Sequence, residues 1–108
     1  SRIVIPAKRV CTVTGLITAY SDSIDGYKVA SWEIKCVIER NASNTTRIVG
    51  TPTITQLAAD TEAVSGGWAV TSITADDTNE ALAITVQGEA GTNIRWQGSL
   101  FYGQVGWV

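Results

Sequence analysis

The chain reads as an all-β domain, an antiparallel β-sandwich or jelly-roll-like fold, on three observations. Apolar and polar residues alternate with a period of two over long stretches, Gly, Asp and Asn cut those stretches apart, and no helical pattern persists for ten residues. The clearest run is the second half. There Leu82, Ile84 and Val86 share one parity and Ile94, Trp96, Gly98, Leu100 and Tyr102 another, so each segment has one apolar and one polar face. This predicts a meander of half-buried antiparallel strands from Trp68 onward.

The first strand is expected over Arg9 to Tyr20. Cys11, Val13, Ile17 and Ala19 take the apolar parity, and Thr12, Thr14 and Thr18 the open one, where β-branched Thr suits extended backbone. Ser21 to Gly26 is polar and ends in Asp-Gly, so a reversal is expected there. A second strand, Lys28 to Arg40, sets Ala30, Trp32, Ile34, Cys36 and Ile38 against Ser31, Glu33, Lys35 and Glu39, and its even face requires a cover. Asn41 to Thr46 is the next loop. Its two Asn-x-Ser/Thr triplets read as hairpin polarity rather than as glycosylation acceptors, because no secretory signal is in view. Arg47 to Leu57 contains Gly50 and Pro52, and Pro lacks a ladder N–H, so this segment is an edge strand or two short ones. Leu57 to Gly67 is expected as a loop, since Asp60, Ser65 and two adjacent glycines interrupt a helical turn. The remaining strands are expected over Trp68 to Thr74, Ala81 to Gln87 and Asn93 to Val105.

At 108 residues the chain is expected to be one domain, residues 1–108. A domain of this size buries roughly two thirds of the surface its unfolded chain exposes. Eight Lys and Arg stand against ten Asp and Glu with no basic cluster, which argues against a nucleic-acid ligand. No apolar stretch reaches the roughly 18 residues that span a bilayer, and the opening residues lack the layout of a signal peptide, so no membrane insertion is expected. The lack of Met and the start at Ser1 suggest a piece of a longer polypeptide or a processed chain.

Catalytic devices are sparse. The chain has no His, no Gly-rich phosphate loop and only two cysteines, Cys11 and Cys36, whose spacing fits no zinc motif. Both lie on apolar parities and are expected as reduced core residues rather than as a bridge. Asp76, Asp77 and Glu80 lack the alternate-position acids of a calcium loop and read as a turn. Paired acids on exposed turns do not form the deep cleft a glycosidase needs. No enzyme activity, catalytic residue, metal or cofactor is expected.

Four segments point to a family. These are Ala30-Ser31-Trp32-Glu33-Ile34, Gly66-Gly67-Trp68-Ala69-Val70, Ala81 to Ala90, and Ile94-Arg95-Trp96. Together, over residues 28–100, they resemble the short C-terminal β-domains of tail fibres and tail spikes of tailed bacteriophages. That resemblance implies a homotrimer at the distal tip of a fibre or spike. It also implies host attachment, trimer registration or both, and a place in the virion tail after folding in the bacterial cytoplasm. The residues themselves add a case for assembly. Val105, Trp107 and Val108 are apolar at the chain end, and apolar residues fall on both parities at Val70 and Ile73 and at Phe101 and Tyr102, as if copies cover one another.

Aromatic rings at strand ends offer flat faces to sugar C–H groups, with amides and carboxylates for the hydroxyls. Tyr20, Asp22, Asp25, Tyr27, Tyr102, Gln104 and Trp107 are the candidate ligand-binding residues, for a bacterial surface glycan or outer-membrane protein. Trp32, Trp68 and Trp96 sit mid-pattern and are expected in the core. Arg95 is expected to pair with Glu89 or Glu33. The alternative function is a non-catalytic carbohydrate-binding module appended to an enzyme.

Overall fold

The computed structural model describes residues 2–21 and 28–106. In chain order the elements are β1 (Arg2–Val4), β2 (Arg9–Ser21), β3 (Val29–Arg40), β4 (Thr46–Ala59), α1 (Thr61–Ser65), β5 (Ala69–Asp76), β6 (Ala81–Gln87) and β7 (Ile94–Gly106). All strand pairs are antiparallel, in one sheet of order β4-β3-β2-β7 and another of order β1-β6-β5. The two sheets pack face to face as a sandwich. β7 returns after two strands of the other sheet to lie beside β2, so the larger sheet has the strand order of a Greek key.

The period-two alternation becomes the core. Cys11, Val13, Ile17 and Ala19 of β2 and Ala30, Trp32, Ile34, Cys36 and Ile38 of β3 are buried, and Val70, Ile73 and Leu82 meet them from the smaller sheet. β2 has small residues where its neighbours are large. Trp96 of β7 is registered opposite Ala19, and its indole stacks on Trp32 of β3 with ring centroids 5.6 Å apart and planes 19° apart. Ala19 and Ala30 leave the space in which the two rings meet across the intervening strand. Gly15 does the same for Leu100: a Cβ at Gly15 would collide with Leu100 and press on Ile34.

Four sequence expectations change, and one open alternative is decided. β5, β6 and β7 are not one meander, because β5 and β6 form a hairpin while β7 crosses to the other sheet and pairs with β2 along its whole length. Of the two alternatives for the Pro52 segment, one continuous edge strand, β4, is the one that forms, with Gly50 and Pro52 accommodated in an irregularity opposite Lys35 to Val37. Residues 61–65 form the short helix α1 rather than a loop. Tertiary docking holds it in place: Ala63 is buried, and Asp60 receives a 2.8 Å bond from the Val29 N–H while donating its own N–H to the Val29 carbonyl. Val70 and Ile73 are both buried without any second copy, because a bulge at Thr71 switches the parity of β5 between them. Finally, β1 pairs with β6, a strand too short to show a period in sequence. The expected turn over Ser21 to Gly26 lies, from residue 22 on, outside the described residues.

Cys11 and Cys36 are free and buried on adjacent strands, Cys11 opposite Ile38 and Cys36 opposite Val13. Burial pushes both thiols above their ordinary value of 9.0, an effect that the Arg9 charge partly offsets at Cys11. A raised thiol pKa favours the protonated form in the folded state. The associated stability is therefore complete below the unfolded thiol value and falls as pH rises through the folded one.

Two outcomes follow from this packing. Gly15→Ala will lower unfolding stability by about 1–3 kcal/mol through overpacking, and the same change made in a Leu100→Ala background will cost less, as read by urea unfolding. Both thiols will resist a disulfide-exchange reagent at pH 8 in the folded protein and react at once in urea, with stability declining as the solution is taken above pH 9.0.

Candidate functional site

The larger sheet has two edges of opposite character. β4 carries Pro52, Gly50 in a left-handed conformation (φ +73°) and two register shifts against β3, features that spoil a strand as a template for further pairing. β7 has none of these. It pairs with β2 without a register shift from Arg9↔Gly106 to Ser21↔Ile94, contains no Pro, and has no strand on its other side among the described residues. A regular edge of 13 residues with a single charge, Arg95, is open to pairing with another chain.

The outer face of the sheet beside this edge divides in two. Toward the C-terminal end of β7, Phe101 is 65% exposed and Val105 75% exposed. They are registered opposite Thr14 and Val10, with Leu16 one pair further along. Toward the other end the face turns polar, with Gln97 opposite Thr18 and Arg95 opposite Tyr20. One flank thus presents an apolar half and a polar half.

Of the predicted ligand-binding residues that the structure describes, Tyr20 lies apart from Tyr102 and Gln104. Tyr20 is half-exposed on the outer face, where a cleft is lined by Tyr20, Asn93, Ile94 and Arg95. Tyr102 and Gln104 point to the opposite face, into a separate cleft with residues 3–6, Cys11, Val13 and Leu82. Seven residues of β7 separate the partner of Tyr20 from Tyr102, roughly 23 Å along a strand. Asp22, Asp25, Tyr27 and Trp107 lie outside the described residues. Trp32 and Trp68 are buried as expected, and Trp96 is partly buried against the core.

The expected ion pair of Arg95 with Glu89 or Glu33 does not form, because Glu33 faces Lys35 and Glu89 faces Lys28. Glu89 is the anchor of a clamp that the sequence reading missed. The Trp68 indole N–H donates to its carboxylate at 3.0 Å, the Lys28 ammonium approaches to 3.4 Å, and Gly66 leaves room that a Cβ would fill. The Trp68 bond, then the Lys28 charge, hold the Glu89 carboxyl below its ordinary value against the opposing effect of burial. A second polar cluster closes the other end. Arg40 donates to the Ile5 carbonyl at 2.8 Å and to Asn44, and it faces Glu80, which accepts the Thr46 hydroxyl. Asp77 accepts the Thr46 N–H at 2.7 Å, and Asp76 accepts from Asn79. The acids of this turn therefore tie strands together, and among the described residues no group of three His, Cys, Asp or Glu is placed to hold a metal.

No family model, curated protein or solved structure matches this chain. The geometry just described carries the functional reading.

Because the folded-state pKa of Glu89 is depressed, its contribution to stability is present above the unfolded carboxyl value and is lost as pH falls through the folded one. Glu89→Gln will flatten the acid limb of the urea midpoint measured from pH 6 to pH 2, while leaving the limb above neutrality unchanged.

Proposed function

We propose that this chain is a virion structural module at the tip of a phage tail fibre or spike, assembling as a homotrimer and serving attachment to the bacterial host surface. The observation that carries this reading is the contrast between its sheet edges. One is disrupted and unfit for pairing, whereas the other is long, regular and flanked by exposed Phe101 and Val105. Isolated exposed apolar residues are ordinary, but several beside an unpaired strand invite a partner. Copies related by a three-fold axis cover such a flank by resting it on a different surface of the next copy, a heterologous contact that closes into a ring.

The resemblance of residues 28–100 to tail fibre and spike domains supplies the setting, the trimer and the virion location. The chemistry is compatible with a non-enzymatic role: the chain has no His, both thiols are buried, and Glu39, Glu80 and Glu89 are engaged in ion pairs. A carbohydrate-binding module appended to an enzyme is the second reading, favoured by the exposed Tyr20 beside an open cleft.

Solution mass separates the two. Light scattering at micromolar concentration is expected to give three times the 11.5 kDa chain mass. Phe101→Lys is expected to shift the protein to monomer while changing monomer stability by no more than about 0.5 kcal/mol, as for other exposed positions. A monomeric wild-type chain favours the second reading instead.

A further inference from the structure

We propose that the Tyr20–Asn93–Arg95 cleft binds a carboxylate-bearing sugar unit of a surface polysaccharide. The inference rests on the attachment part of the reading above, and it assigns the ligand class and the residues that recognise it. Tyr20 and Arg95 are direct cross-strand partners on the outer face at the polar end of the β2–β7 pair. Together with Asn93 and Ile94 they line a cleft of about 240 Å³. That is below the roughly 300–1,000 Å³ of drug-sized pockets, so it suits one ring or one charged group rather than an oligosaccharide.

Arg95 distinguishes this cleft. Lys28, Lys35, Arg40 and Arg47 each face a carboxylate of this chain, and Arg95 faces none among the described residues. Arg95 is an exposed residue, and the donor fork of a guanidinium matches a carboxylate in bidentate fashion. Glu89, the acid nearest in sequence, is held by Lys28 and Trp68 and does not compete for it. The Tyr20 ring, 44% exposed, offers an apolar face to ring C–H groups. Among the described residues Lys8 and Arg9 also have no carboxylate partner, and they lie at the far end of the same strands. The described lining of their cleft includes Glu39, an acid that disfavours an anionic ligand, and the Arg9 guanidinium packs across Gly106.

The position also fits the assembly. Phe101 and Val105 lie at the other end of β7, so covering the apolar half leaves the Tyr20–Arg95 half open.

Titration of isotope-labelled protein with D-galacturonic acid, followed by amide chemical shifts, tests the site, with D-galactose as the neutral counterpart. The expected result is saturable shifts at Tyr20, Asn93 and Arg95 with galacturonate, weakening with added salt, and at least about tenfold weaker binding of galactose. Arg95→Gln is expected to weaken galacturonate at least tenfold and to abolish the salt dependence, and Tyr20→Ala to weaken both sugars. Equal binding of the two sugars, unchanged binding by Arg95→Gln, or no saturable shift would overturn the proposal. The same titration on Phe101→Lys keeps the two readings apart. Binding by a monomeric variant sustains the site whatever the wild-type mass, and silence from a trimeric wild type overturns the site while leaving the assembly reading in place.

Discussion

The fold depends on what β2 lacks. Its core face carries Gly15 opposite Leu100 and Ala19 opposite Trp96, so Leu100 of β7 reaches over Gly15 toward Ile34, and Trp96 of β7 lies on Trp32 of β3. Two strands that share no hydrogen bond are thereby packed against each other across the strand between them. A stacked aromatic pair adds about 0.5–1.5 kcal/mol beyond the area it buries. Its larger effect is to set β7 in one register, since a slip by one residue would turn Trp96 and Leu100 to solvent. The single uninterrupted register of β2 with β7 follows from this fit.

The sandwich is unequal, and its exposed features follow from that. The strands of one sheet are 12 to 14 residues long, whereas the other sheet contributes strands of 3, 8 and 7 residues. The short β1 lies below β7, so among the described residues much of the inner face of β7 has no cover and Tyr102, although on the core parity, is 60% exposed. The long sheet also explains the elongated body, 52 Å by 23 Å by 19 Å. The polar clusters around Glu89 and Arg40 then fasten the two ends, where the hydrophobic contact between sheets runs out.

Much of this was legible in the residues. The buried faces of β2 and β3, the bounds of β6, the edge position of the segment with Pro52, and the burial of Trp32 and Trp68 all follow from period-two alternation and proline chemistry. What a period cannot report is the neighbour. It says that Trp96 and Leu100 face a core, not that β2 rather than β6 lies alongside, and so the crossing of β7 was missed. The bulge at Thr71 inserts a residue that breaks parity, and α1 depends on Asp60 meeting Val29, a contact distant in sequence. The candidate site contained a readable signal that went unused. Tyr20 has the parity of Thr18 and Tyr102 that of Leu100, which already places the two rings on opposite faces. Arg95 was recognised as a charge in need of a partner, but the competing cation at Lys28 belongs to a contact that no local pattern discloses.

The irregularity around Gly50 and Pro52 bears on more than the shape of β4. A sheet open on both sides can recruit one chain after another, each newcomer offering the next a fresh template, and that is the geometry of unlimited fibrils. Here only one side can recruit. A copy whose strand paired with β7 would expose β4 as its own outer margin, and the irregular register there gives no template on which pairing could continue.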